Sequence, residues 1–421
     1  MKTLISKSET AGKTSAPSSK SYTIRGLMCA ALARGESEII HPLGSEDTAA
    51  SLDVLSKVGV HVHQQTDSWQ VTGGSFHEPS GDLFCRESAT TLRFMTAICS
   101  LIPGKSRLTS SPSLAKRPVE PLLQVLKQLG VDCNYQDNES TIVVNGGKFK
   151  GKVAELPGNI SSQFVSALLF ISSFAEDNMT ISLTTPLESK PYVLMTLDCL
   201  AKFGIIVGFS EDMREFETLR QAYEPTKYVV EGDWSSASYL LALGALSGDI
   251  EVENLNPESL QGDKAILDFL RDMGASVTTG QNSVTVRRSR LKAIRANLTD
   301  CIDLLPTMAV LAATADGVSE FTGIERARLK ESNRVSAVKE GLERMGIKVT
   351  EDRNRLAITG SLPKGSVIDS RGDHRIAMAF SLLGTVAGGT IIDSAECVSK
   401  TYPEFWDTLK SVGGEVKTDG K

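Results

Sequence analysis

The chain has 421 residues, enough at ~150 residues per domain for two or three domains with cores of their own. Apolar residues make up 41% and charged residues 23%, an ordinary globular composition, and a net charge of −6 argues against a nucleic-acid binder held by a global positive field. The longest apolar stretch, Phe164 to Ala175, is too short to span a bilayer, and Met1-Lys2-Thr3 opens polar sequence without an export signal. The seven cysteines are scattered, never spaced C-x-x-C, and HExxH is absent. These features predict reduced thiols in a cytoplasm-like compartment, with no disulfide framework and no metal site.

Along the chain a short phrase recurs, a helical L-x-x-Φ-G (Φ apolar) followed by an alternating strand-like run. It ends at Gly59, Gly130, Gly204, Gly274, Gly346 and Gly413, with spacings of 71, 74, 70, 72 and 67 residues. Each glycine stands where a helix end needs a left-handed residue. A second phrase lies 39 to 43 residues upstream of each glycine: a polar start, then an apolar helix rich in small residues. The starts are Lys20-Ser21, Glu87-Ser88, Ser161-Ser162, Ser235-Ser236, Asp303 and Asp373-His374. Helices such as FVSALLFISSFA and YLLALGALSG are apolar nearly all round, so they are predicted to be buried, with the amphipathic helices outside them. Strand-like runs fall at 140–144, 283–288 and 355–360.

The chain therefore reads as six α/β units, divided three and three. The predicted domains are residues 15–233 and residues 234–421, the latter joined by residues 1–14, which have no unit of their own and can add strands there.

Buried helices with polar N-termini have a physical use, because their first N–H groups are unpaired and their dipoles are positive there. One serine pair alone reads as a helix cap. Six such starts in register point to a shared anion site. Cations stand at the same places: Lys20 and Arg25 at the first start, Arg93 after the ESATT turn, Arg117 before a proline, Arg375 at the last start and Lys400 in SKTYPEF. The spacing K-E-x-x-R predicts Lys330 and Arg334 on one helical face, with Glu331 beside them. Gly12-Lys13-Thr14 lacks the earlier glycine of a P-loop, and His61-x-His63 has no third ligand nearby, so neither is read as a site.

Nine motifs in order along the whole chain, PSSKSYTIRGLMCAALARG (17–35), ESATTLRF (87–94), KRPVEPL (116–122), SSQF (161–164), SKPY (189–192), EGDWSSASY (231–239), LKESNR (329–334), GDHRIAMAF (372–380) and KTYPEF (400–405), resemble the 5-enolpyruvylshikimate-3-phosphate synthases. The resemblance implies the inside-out α/β barrel of the enolpyruvyl transferases, two similar domains of three βαβαββ units each, with substrate bound between them. It implies transfer of the enolpyruvyl group of phosphoenolpyruvate to the 5-hydroxyl of shikimate 3-phosphate, without a cofactor, by a cytoplasmic monomer that contacts neither nucleic acid nor membrane. It assigns shikimate 3-phosphate to Lys20, Ser21, Arg25, Ser161, Ser162, Gln163, Ser189, Tyr192, Asp303 and Lys330. Phosphoenolpyruvate falls to Lys20, Ala89, Thr90, Arg117, Gln163, Arg334, Arg375 and Lys400. Glu331 resembles the family's general acid and Asp303 its base, with Lys20 the third catalytic residue, placed to stabilise the departing phosphate.

Three positions depart from the commonest family pattern. Ala89 stands where many members have glycine, beside space that in the family also admits the inhibitor glyphosate, so weak inhibition is implied. Glu87 and Arg326 each replace a frequent asparagine and are not read as ligands; Glu87 calls for a cationic neighbour, for which Arg93 is the candidate. Two rival readings remain. The enolpyruvyl transferases acting on UDP-N-acetylglucosamine carry a reactive cysteine before their R-P motif, whereas residues 101–118 here contain none. A non-catalytic anion-binding protein on the same repeat has no need of Asp303 and Glu331 beside the cations.

Overall fold

The computed structural model describes residues 1–136, 140–147 and 149–419. It divides into two compact units, one of residues 18–231 and the other of residues 1–17 with 232–421. Among the described residues there are six four-stranded sheets, three in each unit, and all repeat one plan. In the Leu83–Phe84 sheet, that strand runs parallel to Gly104–Thr109 across the buried helix Ala89–Ile98. Thr141–Gly146 then pairs antiparallel with Gly104–Thr109, and Asp132–Gln136 closes the far edge. A parallel pair needs a crossover, and the helix supplies it while burying its own apolar surface against the sheet.

Three sheets borrow a strand from a distant part of the chain. Lys227–Val229 runs parallel to Gly35–Ile40, and Thr10–Ser15 parallel to Gly248–Glu253. Lys2–Ile5 lies inside its sheet, antiparallel to both Thr390–Asp393 and Val416–Thr418.

In the unit of residues 18–231 the buried helices are Lys20–Leu32, Ala89–Ile98 and Ser162–Ser172. In the other unit they are Trp234–Ser247, Leu305–Ala312 and His374–Ala387, which pack on one another. Every residue of Trp234–Ser247 is buried, as its apolar circumference requires. The six glycines that end the outer helices all have φ between +81° and +99°. Gly341 does different work: a Cβ there would lie 2.4 Å from the Phe380 ring, so glycine lets Arg334–Arg344 settle onto His374–Ala387. That approach brings Arg334 to Asp373.

Candidate active site

In the unit of residues 18–231, Ser19 caps the first buried helix by accepting from Tyr22 N, and half-buried Lys20 is the helix's first residue. Lys20 Nζ meets Asp47 Oδ2 at 2.8 Å, and the Asp47 side chain is only 4% exposed. Arg25, one turn on, is buried. Its Nε donates to Thr196 Oγ1 at 2.9 Å, Nη1 to the Ser21 carbonyl at 3.0 Å and Nη2 to the Tyr192 carbonyl at 3.0 Å. These bonds join Ser21, Arg25 and Tyr192 and use three of the five guanidinium N–H groups. Ser189, whose carbonyl accepts from Tyr192 N, holds φ +56°, a strained value for serine of the kind that collects at functional sites.

A second group gathers around Arg93, inside the Ala89–Ile98 helix. Arg93 Nη1 donates to Gln163 Oε1 at 2.8 Å and to Ser161 Oγ at 3.2 Å, and Nη2 to the Pro118 carbonyl at 3.1 Å. Gln163 Nε2 donates to Thr90 Oγ1 at 3.0 Å. Thr90, Ser161 and Gln163 are thus tied to one cation, as is the carbonyl that follows Arg117. Ser162 is buried as the first residue of its helix, and Ala89 opens the Ala89–Ile98 helix. Glu87 accepts from Ser113 Oγ.

The other unit builds its group from ions. Asp303 sits in the short 3-10 turn Ile302–Leu304 that leads into Leu305–Ala312. Its Oδ1 meets Arg334 Nη1 at 2.6 Å and Lys330 Nζ at 3.2 Å, and its Oδ2 meets Arg375 Nη2 at 3.4 Å. Glu331 Oε2 pairs with Arg334 Nη2 at 2.5 Å, and its Oε1 lies 3.7 Å from Lys400 Nζ. Arg334, 1% exposed, also donates to both oxygens of Asp373, at 2.8 and 3.2 Å. Asp373 does double duty, because it caps the last buried helix by accepting from Arg375 N at 3.0 Å. Arg375 Nη1 reaches the Tyr239 hydroxyl at 3.4 Å.

Burial would push the Asp303 carboxyl up, but Arg375, Lys330 and Arg334 outweigh it and hold the group well below the usual carboxylate range. Burial pulls Lys330 down, with Asp303 opposing. Asp263 goes the other way: burial pushes it up to about 6, against the pull of Arg375 and with the help of Asp303. Its Oδ2 accepts from Ser235 Oγ, while its Oδ1 has no partner among the described residues.

One sequence expectation fails in form. Lys330 and Arg334 do not share a helical face, because Lys330 is extended (φ −89°, ψ −154°) and the helix begins only at Arg334. Asn333 is the reason, since its side chain accepts from Ser336 N and caps the helix there. The two cations still converge on Asp303. Arg326 donates to the Thr299 carbonyl at 2.8 Å. The residues that sequence reasoning did not assign are Asp47, Asp263, Asp373 and Tyr239. Asp373 alone had a signal, as the polar start of a buried helix. Among the described residues no group of three or more His, Cys, Asp or Glu could hold a metal ion.

Six repeated α/β modules around buried helices, three in each unit among the described residues, define an enolpyruvyl-transferase fold. An enolpyruvyl transferase of Streptomyces tendae has this fold at TM-score 0.82 and 17% identity, covering 100% of this chain and 99% of that one. The EPSP synthase of Acinetobacter baumannii matches at TM-score 0.83 and 25% identity, covering 99% and 100%. The chain belongs to the EPSP synthase (3-phosphoshikimate 1-carboxyvinyltransferase) family, whose sequence model matches residues 6–409. A 3-phosphoshikimate 1-carboxyvinyltransferase of Dehalococcoides mccartyi is 51% identical over 421 residues, 100% of both chains. Another, of Methanocaldococcus jannaschii, is 40% identical over 415 residues, 96% of each chain.

Proposed function

We infer that the chain transfers the enolpyruvyl group of phosphoenolpyruvate to the 5-hydroxyl of shikimate 3-phosphate, releasing phosphate, in the shikimate pathway to aromatic amino acids. The observation that carries this reading is the pair Asp303 and Glu331, two carboxylates held by one shared cation, Arg334, in a chain of this family.

The chemistry needs a base at the 5-hydroxyl and an acid at the methylene carbon. The hydroxyl oxygen attacks the central enol carbon, its proton passes to Asp303, and Glu331 delivers a proton to the methylene. The resulting tetrahedral intermediate then loses phosphate while the new methyl returns a proton, restoring the double bond. Lys20 stabilises the departing phosphate. Asp303 is held ionised, so it can accept a proton at any ordinary pH, yet its low pKa makes it a weak base. Anionic substrate drawing Arg375 and Lys330 toward itself relaxes that hold and strengthens the base when it is needed.

Shikimate 3-phosphate is assigned to the hydroxyl and amide groups near Arg25 and Arg93, with Asp303 and Lys330. Phosphoenolpyruvate is assigned to Arg117, Arg334, Arg375 and Lys400, with Lys20, Ala89, Thr90 and Gln163 beside it. Four cations suit a ligand that brings both a phosphate and a carboxylate. The same reading makes the protein a cytoplasmic monomer that works without nucleic acid, membrane or metal; no helix among the described residues is long and apolar enough to cross a membrane. Incubation with both substrates, followed by assay of free phosphate and of the enolpyruvyl ether, tests it. Phosphate release with UDP-N-acetylglucosamine as acceptor, and none with shikimate 3-phosphate, would overturn it.

A further inference from the structure

Ser161 and Gln163 can each either donate or accept, so their orientation decides what they can hold. Arg93 removes the choice. A guanidinium only donates, so the Gln163 atom 2.8 Å from Arg93 Nη1 is the carbonyl oxygen, and the amide nitrogen is turned toward Thr90 Oγ1. Ser161 Oγ receives two donors, Arg93 Nη1 at 3.2 Å and Gln163 N at 3.3 Å, which fill its two lone pairs. What Ser161 has left is its hydroxyl hydrogen, and what Gln163 has left is principally an amide N–H. Both are donors.

We propose that Arg93 is a positioning residue that fixes the hydrogen-bond polarity of Ser161 and Gln163, so that both meet an anionic oxygen as donors only. The inference rests on the reading above in which these two side chains touch substrate. It explains why a buried cation is aimed at two neutral side chains: the charge orients them and strengthens their remaining donors by polarisation. The competing account is a clamp, in which Arg93 lies over the Phe164 ring at 5.0 Å and holds the Pro118 carbonyl merely to join neighbouring segments. A clamp changes stability. A polarity device changes the affinity for phosphate relative to the same ligand without it.

The decisive variant is Arg93→Lys, which keeps the charge but replaces the planar fork, whose Nη1 and Nη2 reach separate acceptors, with a single ammonium nitrogen. Equilibrium binding of shikimate 3-phosphate, shikimate and inorganic phosphate is measured on the full chain, for the parent, Arg93→Lys, Ser161→Ala and the double variant, alongside thermal unfolding. Shikimate 3-phosphate is expected to bind roughly ten- to a hundredfold more weakly to Arg93→Lys. Shikimate should change less than about threefold, and the loss should shrink several-fold when Ser161 is already alanine. Unchanged phosphate-ester binding, an equal loss for shikimate, or full additivity with Ser161→Ala overturns the proposal. Should Arg93→Lys prove too unstable to assay, Gln163→Glu replaces it, because it retains the Arg93 partner and turns the outward donor into an acceptor; undiminished phosphate-ester binding there also overturns it. A parent that binds no shikimate 3-phosphate defeats the substrate reading instead, and inorganic phosphate then decides the polarity claim in the same variants. Absence of binding by either anion defeats both.

Discussion

In the unit of residues 18–231, Arg25 and Arg93 donate to hydroxyls, carbonyls and an amide, whereas Arg334 and Arg375 of the other unit donate chiefly to carboxylates. The two units repeat the same sheets and the same buried helix starts, so the scaffold does not impose this difference. It lies in what the helix starts carry. Cations bonded to neutral groups keep their positive potential and harden those groups as donors, which suits holding an anion. Cations bonded to carboxylates cancel most of that potential but set where protons reside, which suits moving one. One backbone plan thus carries cations bonded to neutral groups in one unit and cations bonded to carboxylates in the other.

The contrast predicts different kinetic signatures. Glu331→Gln and Asp303→Asn should lower turnover by ~10²–10⁴ while changing shikimate 3-phosphate affinity much less. Ser161→Ala or Ser162→Ala should instead act mainly on affinity. Steady-state kinetics with direct binding separates the two patterns, and near-parental turnover in Glu331→Gln would erase the distinction.

Stability should be asymmetric as well. Asp373→Asn preserves the helix cap but strips Arg334 of its fully buried partner, so a loss of ~3–5 kcal/mol is expected in denaturant unfolding. Asp47→Asn should cost only about 1 kcal/mol, since the Lys20 side chain is 16% exposed and can turn to water. Similar losses for both would show that the ionic unit is no more tightly interlocked than the other.

A third test uses pH. The Asp263 pKa is raised in the folded state, so folded protein binds the extra proton and stability falls as pH climbs from about 4 through about 6. Asp263→Asn lacks that penalty. Its stability relative to the parent should therefore rise between pH 4 and pH 7, by up to roughly 3 kcal/mol at ~1.36 kcal/mol per pH unit. A difference that stays flat across this range would mean that the buried carboxylate titrates normally.

A further test concerns Ala89, whose methyl group stands at a helix start in the unit of residues 18–231. Ala89→Gly should bind glyphosate about tenfold more tightly, a gain of ~1.4 kcal/mol, in competition with phosphoenolpyruvate. If inhibition is unchanged and only the melting point drops, the methyl serves stability alone.

The repeat was readable because its markers answer local needs. A left-handed residue must follow an outer helix, and glycine supplies it at Gly59 and its five counterparts. A polar start must precede an apolar helix, and serine or aspartate supplies that. Lys330 was misread because helical spacing alone ignores Asn333, a capping residue that starts the helix four positions later. Asp373 was half legible: its cap is local, but its pairing with Arg334 spans 39 residues and leaves no local trace. Asp263 was not legible at all, since a turn-like LQGDK stretch gives no hint that Ser235 and Arg375 will surround the carboxylate.

The interior position of Lys2–Ile5, flanked by Thr390–Asp393 and Val416–Thr418, sets an order of assembly. Residues 18–231 form a contiguous unit that can fold while later residues are still being synthesised. The opening segment must wait for partners made almost at the end, with both hydrogen-bonding edges unsatisfied meanwhile. Contacts of such sequence separation form slowly, so the unit of residues 1–17 and 232–421 should mature last during biosynthesis. A nascent chain therefore completes residues 18–231 first and the ion-paired cluster around Arg334 only after the last strands emerge.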